Sequence, residues 1–462
     1  MSMQSRYRFT CAWLPDGWHR NVVISVDPGG DIVDVAADDT VTAARMINGA
    51  AIAGMPNIHS HAFQRAMAGL VEQRGGEGDS FWTWRETMYD VASRISPECL
   101  NGVAAQLYAD MVKAGYTSVC EFHYLHSHGE ASNRSPEQRL AMSQALMDAA
   151  TTAGIGLTLL PTLYQTSDFG GAPPSERQRQ FSMQTREYLD LLDALRQSSQ
   201  RSPQLEVGMA LHSLRAVPPE SLRMVLDSQR DGQPIHIHIA EQEREVQACL
   251  ERTGKRPVEW LLENAPVDRH WCLIHATHAT AEELQGVAKA GAVIGLCPTT
   301  EANLGDGIFP METLLAAGGA FAIGSDSHIS LSPIEELRWL EYQARLARRQ
   351  RGVLTDGTLS GGSLLWQKAC MAGARVSGRP IGELAAGRRA DVVVLDINSP
   401  LFAARSDSSI IDTFVFSGTS ESVRDVMVGG RWLVQDRRHF AETAVSAGYR
   451  RALQKMFKKD RV

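Results

Sequence analysis

Apolar residues in the middle of this chain come in short runs, each followed by a longer stretch with helical spacing. Short apolar runs alternating with patterns of ten or more helical residues are the mark of parallel βα units. Eight such runs stand out, at 51–58, 118–122, 154–163, 206–211, 234–239, 271–274, 292–296 and 320–324. Helical patterns separate them, for example at 135–153, 240–252 and 334–349. Eight strand–helix pairs in roughly 320 residues predict an α/β fold of the TIM-like (β/α)8 barrel type.

Both ends have a different texture. Asn21-Val-Val-Ile-Ser-Val and Asp31-Ile-Val-Asp-Val, with Asp-Pro-Gly-Gly between them, predict short antiparallel strands and tight turns. Ala390-Asp-Val-Val-Val-Leu-Asp and Val426-Met-Val-Gly-Gly-Arg-Trp-Leu-Val repeat the pattern, the second as a hairpin turning at Gly429–Gly430. The two ends are therefore expected to pair into one small β-sandwich domain. This divides the chain into 1–53, a barrel at 54–375, and 376–462, which returns to the β domain and closes with a helix. The Gly-rich segment 72–80, followed by Phe81-Trp-Thr-Trp-Arg85, is expected to form a lid, or a surface loop whose aromatics pack on a neighbouring subunit.

Composition narrows the function. At 462 residues, with 44% hydrophobic and 21% charged content, one large domain plus a smaller one is expected. A net charge of −7 offers no basic footprint for nucleic acid. No apolar run is long enough to span a membrane, and Met-Ser-Met-Gln-Ser-Arg-Tyr-Arg at the start lacks the continuous hydrophobic segment expected of a signal peptide. Seven cysteines without a C-x-x-C pair suit reduced thiols and a cytoplasmic setting. Cys297 is read as a buried small residue ending a strand rather than a nucleophile.

The chemistry collects at the strand ends, where barrels of this kind carry their active sites. Pro-Asn-Ile-His59-Ser-His61 places two imidazoles on one side of a strand end, followed by Gln64. His123 and Tyr124 end the second strand, His212 and Arg215 follow the fourth, His236, His238 and Glu241 belong to the fifth, and His275 ends the sixth. The eighth ends in Gly-Ser-Asp326-Ser-His328. Three histidines and a carboxylate from separate strands suit one divalent ion with a position open to water. Asp326 can touch both ion and water and act as base, while Glu241, three residues after His238, can act as acid toward a nitrogen. His236 lies deeper on the face of His238 and is read as a core residue. His126 and His128 form a second H-x-H in a loop read as solvated. His278 competes weakly with His275, and His270 and His439 have no supporting context.

Taken in order, these motifs, with Leu-Cys-Pro-Thr-Thr-Glu-Ala-Asn-Leu-Gly-Asp-Gly, resemble the deaminase branch of the amidohydrolase superfamily. The resemblance runs from about Gly54 to Asp326, with the β-rich ends extending it. It implies one zinc ion, or ferrous iron as the alternative, bound by His59, His61, His238 and Asp326, with no carboxylated lysine. It implies catalytic roles for Glu241, His275 and Asp326, and a homodimer. Within the branch, His61-Ala-Phe-Gln64, Phe81-Trp-Thr-Trp-Arg85, Glu121-Phe-His-Tyr124 and His212-Ser-Leu-Arg215 resemble the iminohydrolases that convert N-formimino-L-glutamate to N-formyl-L-glutamate and ammonia in histidine breakdown. Arg85 and Arg215 can pair with the two substrate carboxylates, and Gln64, Tyr124 and His212 add hydrogen-bond partners. Another deaminase, acting on guanine or a related heterocycle, and a non-catalytic scaffold are the competing readings.

Overall fold

The computed structural model describes residues 4–37, 43–72, 81–129 and 135–458, with backbone alone at 81–83. Apart from Glu72, the proposed lid at 72–80 lies outside the described residues, as do the side chains of Phe81 and Trp82.

Four strands open the chain: β1 (Ser5–Leu14), β2 (Gly17–Val26), β3 (Ile32–Ala37) and β4 (Arg45–Ala53). The barrel follows with β5 (Met55–Ser60), β6 (Tyr116–His123), β7 (Gly156–Leu163), β8 (Leu205–Val207), β9 (Met209–Ser213), β10 (Ile235–Ile239), β11 (Trp271–His275), β12 (Val293–Leu296) and β13 (Ala320–Ile323). The chain then returns to the first sheet as β14 (Val392–Leu395), β15 (Val423–Val428), β16 (Arg431–Gln435) and β17 (Arg438–His439). The end sheet runs β17-β16-β15-β14-β4-β1-β2-β3, so the two chain ends meet where β14 pairs with β4.

Period-two packing explains why Val392-Val-Val-Leu395 is apolar throughout. Val392 and Val394 join Phe9, Ile24, Ile47 and Met427 in a core on one face. Val393 and Leu395 join the main core on the other, which welds the sheet to the barrel. The same logic fills the barrel. Cys272 and Ile274 of β11 point inward to Ile58, Val293 and Ala322, and to Ala372 and Val376 of the helix Gly361–Ser377. Trp271 and Leu273 belong to the outer core.

The eight expected barrel strands are all present, with two differences at their edges. Residues 51–53 belong to β4, and the chain changes sheets at Gly54. The Gly54 N–H donates to the Asp391 carbonyl of the end sheet, whereas Met55 N–H donates to Gly115 before β6. Pro56 lies within β5, at a register shift between β5 and β6 where a missing N–H is tolerated. The expected strand at 206–211 is divided between β8 and β9.

Barrel hydrogen bonding runs β13-β12-β11-β10-β9-β7-β6-β5, and the seam between its ends is short. Ser325 and Asp326 N–H groups both donate to the His59 carbonyl, at 3.1 and 3.0 Å, and His61 N–H donates to the Asp326 carbonyl at 3.2 Å. The Asn57 amide donates to Ser325 Oγ at 2.7 Å across the same gap. Among the described residues, no helix is long and apolar enough to cross a membrane.

Candidate active site

The seam is also where the expected ion ligands converge. His59 Nε2 lies 3.0 Å from His238 Nε2 and 3.5 Å from Asp326 Oδ1, and His61 Nε2 is 3.3 Å from the same oxygen. His61 Nδ1 is committed to the Phe122 carbonyl at 2.9 Å, so its proton lies there and the Nε2 lone pair faces inward. Burial, then the neighbouring imidazoles, holds His59 well below the usual histidine range. Burial likewise takes His61 down to about 3 and lowers His238 strongly. Neutral imidazoles with facing nitrogen lone pairs repel unless a cation or proton lies between them. The donor set therefore fits one divalent ion of the kind the sequence suggested.

Beside this cluster stands a second group. His275 Nε2 is 3.8 Å from Asp326 Oδ2 and 3.9 Å from Glu241 Oε1. Burial opposes its charge, but Glu241, the bond to Glu301 and Asp326 outweigh it and raise the imidazole to about 10. Burial pushes the Asp326 carboxyl up to about 7. Glu301 Oε1 accepts from the Cys297 N–H at 2.9 Å and lies 3.2 Å from His275 Nδ1. A carboxylate can only accept, so Nδ1 carries a proton and Nε2 is turned toward Glu241 and Asp326.

Local backbone geometry aims these groups. Ala240, His275 and Asp326 have φ of 49°, 69° and 43°, left-handed conformations that cost a non-glycine residue energy and cluster at the mouth of this barrel. Opposite Ile237 and His238, β9 skips one residue: Leu211 and Ser213 pair with them, leaving His212 as a bulge that leans toward the cavity.

One cavity is lined by Gln64, Arg85, Tyr124, His212 and Arg215 together with His61, His238, Glu241, His275 and Asp326. The expected substrate-binding residues are thus brought together with the expected ion ligands His61, His238 and Asp326, and Arg85 reaches the cavity of its own chain. Gln64 Nε2 donates to the Tyr124 hydroxyl at 2.8 Å. His59 alone of the expected residues lies beneath the cavity rather than on its wall, and is fully buried.

Several residues were not singled out from the sequence. Glu301 sat unremarked in the Cys-Pro-Thr-Thr-Glu run. Glu121 accepts from Ser60 Oγ and Ala62 N–H, both at 2.6 Å, bracketing His61. Glu245 accepts from the N–H groups of Ala240 and Glu241, both at 3.2 Å. A charged residue inside a strand run, as Glu121 is, was the one available signal. The loop carrying His126 was expected to be solvated; residues 124–127 are instead buried, while His128 is half-buried and Gly129 exposed. His126 is buried, with Nε2 2.8 Å from the Thr162 carbonyl, because the 176–182 segment folds over it through the Gln180 carbonyl. His123 packs against His126, outside the cavity lining. His236 is a core residue, bonded to the Val376 carbonyl at 2.8 Å. His439 bonds the Ala153 carbonyl and His270 pairs with Asp268, both remote from the cavity. Cys297 is fully buried, and burial raises its thiol far above the usual range, as suits a core residue.

Comparison with known proteins places this geometry among relatives. The model of the amidohydrolase family matches residues 50–433. The chain is 50% identical over 432 residues to the formimidoylglutamate deiminase of Pseudomonas aeruginosa, covering 93% of this chain and 95% of that one. It is 28% identical over 395 residues to an 8-oxoguanine deaminase of the same organism, covering 83% and 82%. The crystal structure of an amidohydrolase from Brucella melitensis superposes with a TM-score of 0.91 at 42% identity, covering 98% of this chain and 100% of that one.

Proposed function

Because the chain belongs to the amidohydrolase family, we propose that it hydrolyses the imino group of N-formimino-L-glutamate, yielding N-formyl-L-glutamate and ammonia in the breakdown of histidine. The observation that carries this reading is a cavity holding two guanidinium groups, Arg85 and Arg215, above an imidazole–carboxylate cluster. A dicarboxylate needs such a pair, whereas a flat neutral heterocycle does not. The relationship to the Pseudomonas aeruginosa deiminase supports it.

His59, His61, His238 and Asp326 would hold one divalent ion. Nitrogen-rich donors with one carboxylate favour zinc, and ferrous iron is the alternative. When bound, the ion supplies Lewis acidity that makes hydroxide available near neutral pH. Arg85 and Arg215 hold the two carboxylates, while Gln64, Tyr124 and His212 bond the intervening polar atoms. Asp326 takes a proton from the attacking water as its oxygen bonds to the formimino carbon. Glu241 gives a proton to the imino nitrogen, and His275 Nε2 steadies the oxygen of the tetrahedral centre. Asp326 then returns its proton to the amino group, and Glu241 takes back a proton from the hydroxyl on the tetrahedral carbon. The C–N bond breaks and ammonia leaves as the formyl carbonyl forms, with both carboxyl groups back in their starting states.

The reading carries with it a cytoplasmic homodimer, in keeping with seven cysteines that are all free and buried. It also keeps the division at 1–53, 54–375 and 376–462. Ammonia release from N-formimino-L-glutamate, guanine and cytosine by metal-loaded protein tests the function. Turnover of the first alone is expected, and turnover of guanine without it would refute the reading. Elemental analysis chooses between zinc and iron, and light scattering measures the oligomer.

A further inference from the structure

One wall of the cavity holds polar groups to which the mechanism above assigns nothing. Tyr89, on the helix Phe81–Ser93, and Tyr164, just after β7, line it beside Arg85 and Arg215. Behind them lies Gln178, only 5% exposed. Its Oε1 accepts from the Ser175 N–H at 2.9 Å, which fixes the orientation of the amide. Nε2 is thereby turned toward the phenols, donating to the Tyr164 oxygen at 2.9 Å and to the Tyr89 oxygen at 3.3 Å.

Each phenol oxygen is therefore an acceptor for Gln178, and its own proton must go elsewhere. Neither proton has an acceptor among the described residues. Burial raises both hydroxyls, Tyr164 to about 12, so both stay protonated, although Arg85 and Arg215 are close enough to pull each the other way. The Arg85 guanidinium lies 5.6 Å from the Tyr89 ring centroid. His212 meets the Tyr164 ring edge-on at 4.7 Å, which fixes that ring beside the residue expected to contact substrate.

Resting on the function proposed above, we propose that Tyr89 and Tyr164, aimed by Gln178, form a neutral donor pair that binds a substrate carboxylate alongside Arg85 and Arg215. Two guanidiniums alone attract any dianion. Two phenolic donors held on a buried amide add direction, so the wall selects a planar carboxylate at one distance from the reacting carbon. Gln178 touches no substrate; it is a positioning residue that decides where the phenolic protons point.

The test uses full-length, metal-loaded protein with Tyr89→Phe, Tyr164→Phe and Gln178→Leu. Each phenylalanine removes one oxygen and keeps the ring packing. The deciding measurement is glutarate binding by calorimetry, with KM and kcat for N-formimino-L-glutamate alongside. Losing a donor to a carboxylate should weaken glutarate roughly tenfold or more and raise KM in step, with kcat held within about threefold. Gln178→Leu should do the same, whereas a merely structural role would lower kcat and leave glutarate unchanged. Unchanged glutarate affinity in all three variants overturns the inference. Should the wild-type protein release no ammonia from N-formimino-L-glutamate, the proposed function falls, and the glutarate titration still decides the role of the phenols.

Discussion

Gly324 offers a test of how tightly the barrel seam controls ion binding. A methyl group at this position would lie 2.7 Å from His59 Cβ, 2.8 Å from its N and 2.9 Å from its carbonyl oxygen. These are atoms of β5 itself, or one bond from it, so no flexible side chain can yield. Either β5 or the turn after β13 must move by several tenths of an ångström. The same carbonyl accepts from Ser325 and Asp326, so the movement opens the seam between His59 and His61 on one side and Asp326 on the other. Coordination tolerates about ±0.2 Å. Gly324→Ala should therefore weaken ion binding by about 10- to 100-fold, or ~1.4–2.7 kcal/mol, with overpacking costing about 1–3 kcal/mol of stability. Competition with a fluorescent chelator measures the first and urea unfolding the second. A folded variant that holds its ion as tightly as wild type would refute the argument that the seam positions the ligands.

Other expectations follow from the same geometry. Asp326→Asn and Glu241→Gln should each lower turnover by about 100-fold or more, checked by single-turnover ammonia release in protein whose ion content has been measured; near-full rates would sink the proton assignments. Arg215→Ala should raise KM for the dicarboxylate by about 10- to 150-fold, the span of a hydrogen bond to a charged group, and an unchanged KM would remove Arg215 from the substrate. Glu301→Ala leaves the Cys297 N–H and His275 Nδ1 without their acceptor, so stability should fall by about 2–4 kcal/mol and turnover with it. Burial pushes the Glu245 carboxyl up to about 7, with Arg215 opposing, against 4.5 in the unfolded chain. The folded state thus keeps this proton to higher pH, so its contribution is full below the unfolded value and is lost as pH rises through about 7. Glu245→Gln should flatten that fall in urea midpoints between about pH 5 and 8, and a wild type that gains on the variant over this interval would contradict the sign.

Much of this protein is written in local periodicity. A strand places residues two apart on one face, so His59 and His61 declared a shared direction before any partner was known. Eight apolar runs at strand length, each followed by a helix, left few architectures open. The polar residues at the ends of those runs then pointed to the expected ion ligands, Glu241, His275 and Arg215, because a barrel gathers its strand ends at one mouth. Arg85, on the helix Phe81–Ser93, is no strand-end residue and came from resemblance alone.

What the tertiary structure alone decided depends on stagger and burial between distant segments. Glu301 meets His275 from 26 positions away and Glu121 brackets His61 from 60; neither pairing has a period to betray it. The left-handed turns at Ala240, His275 and Asp326 are conformations uncommon outside glycine, held by contacts the sequence does not display. His126 looked solvated because its neighbours are polar, and is buried because a remote loop closes over it. The change of sheets at Gly54 falls inside one unbroken apolar run, since only the partners, Asp391 on one side and Gly115 on the other, differ across it. Pattern along a chain fixes which way a residue faces within its own element. Which group stands opposite is settled only when the elements close on one another.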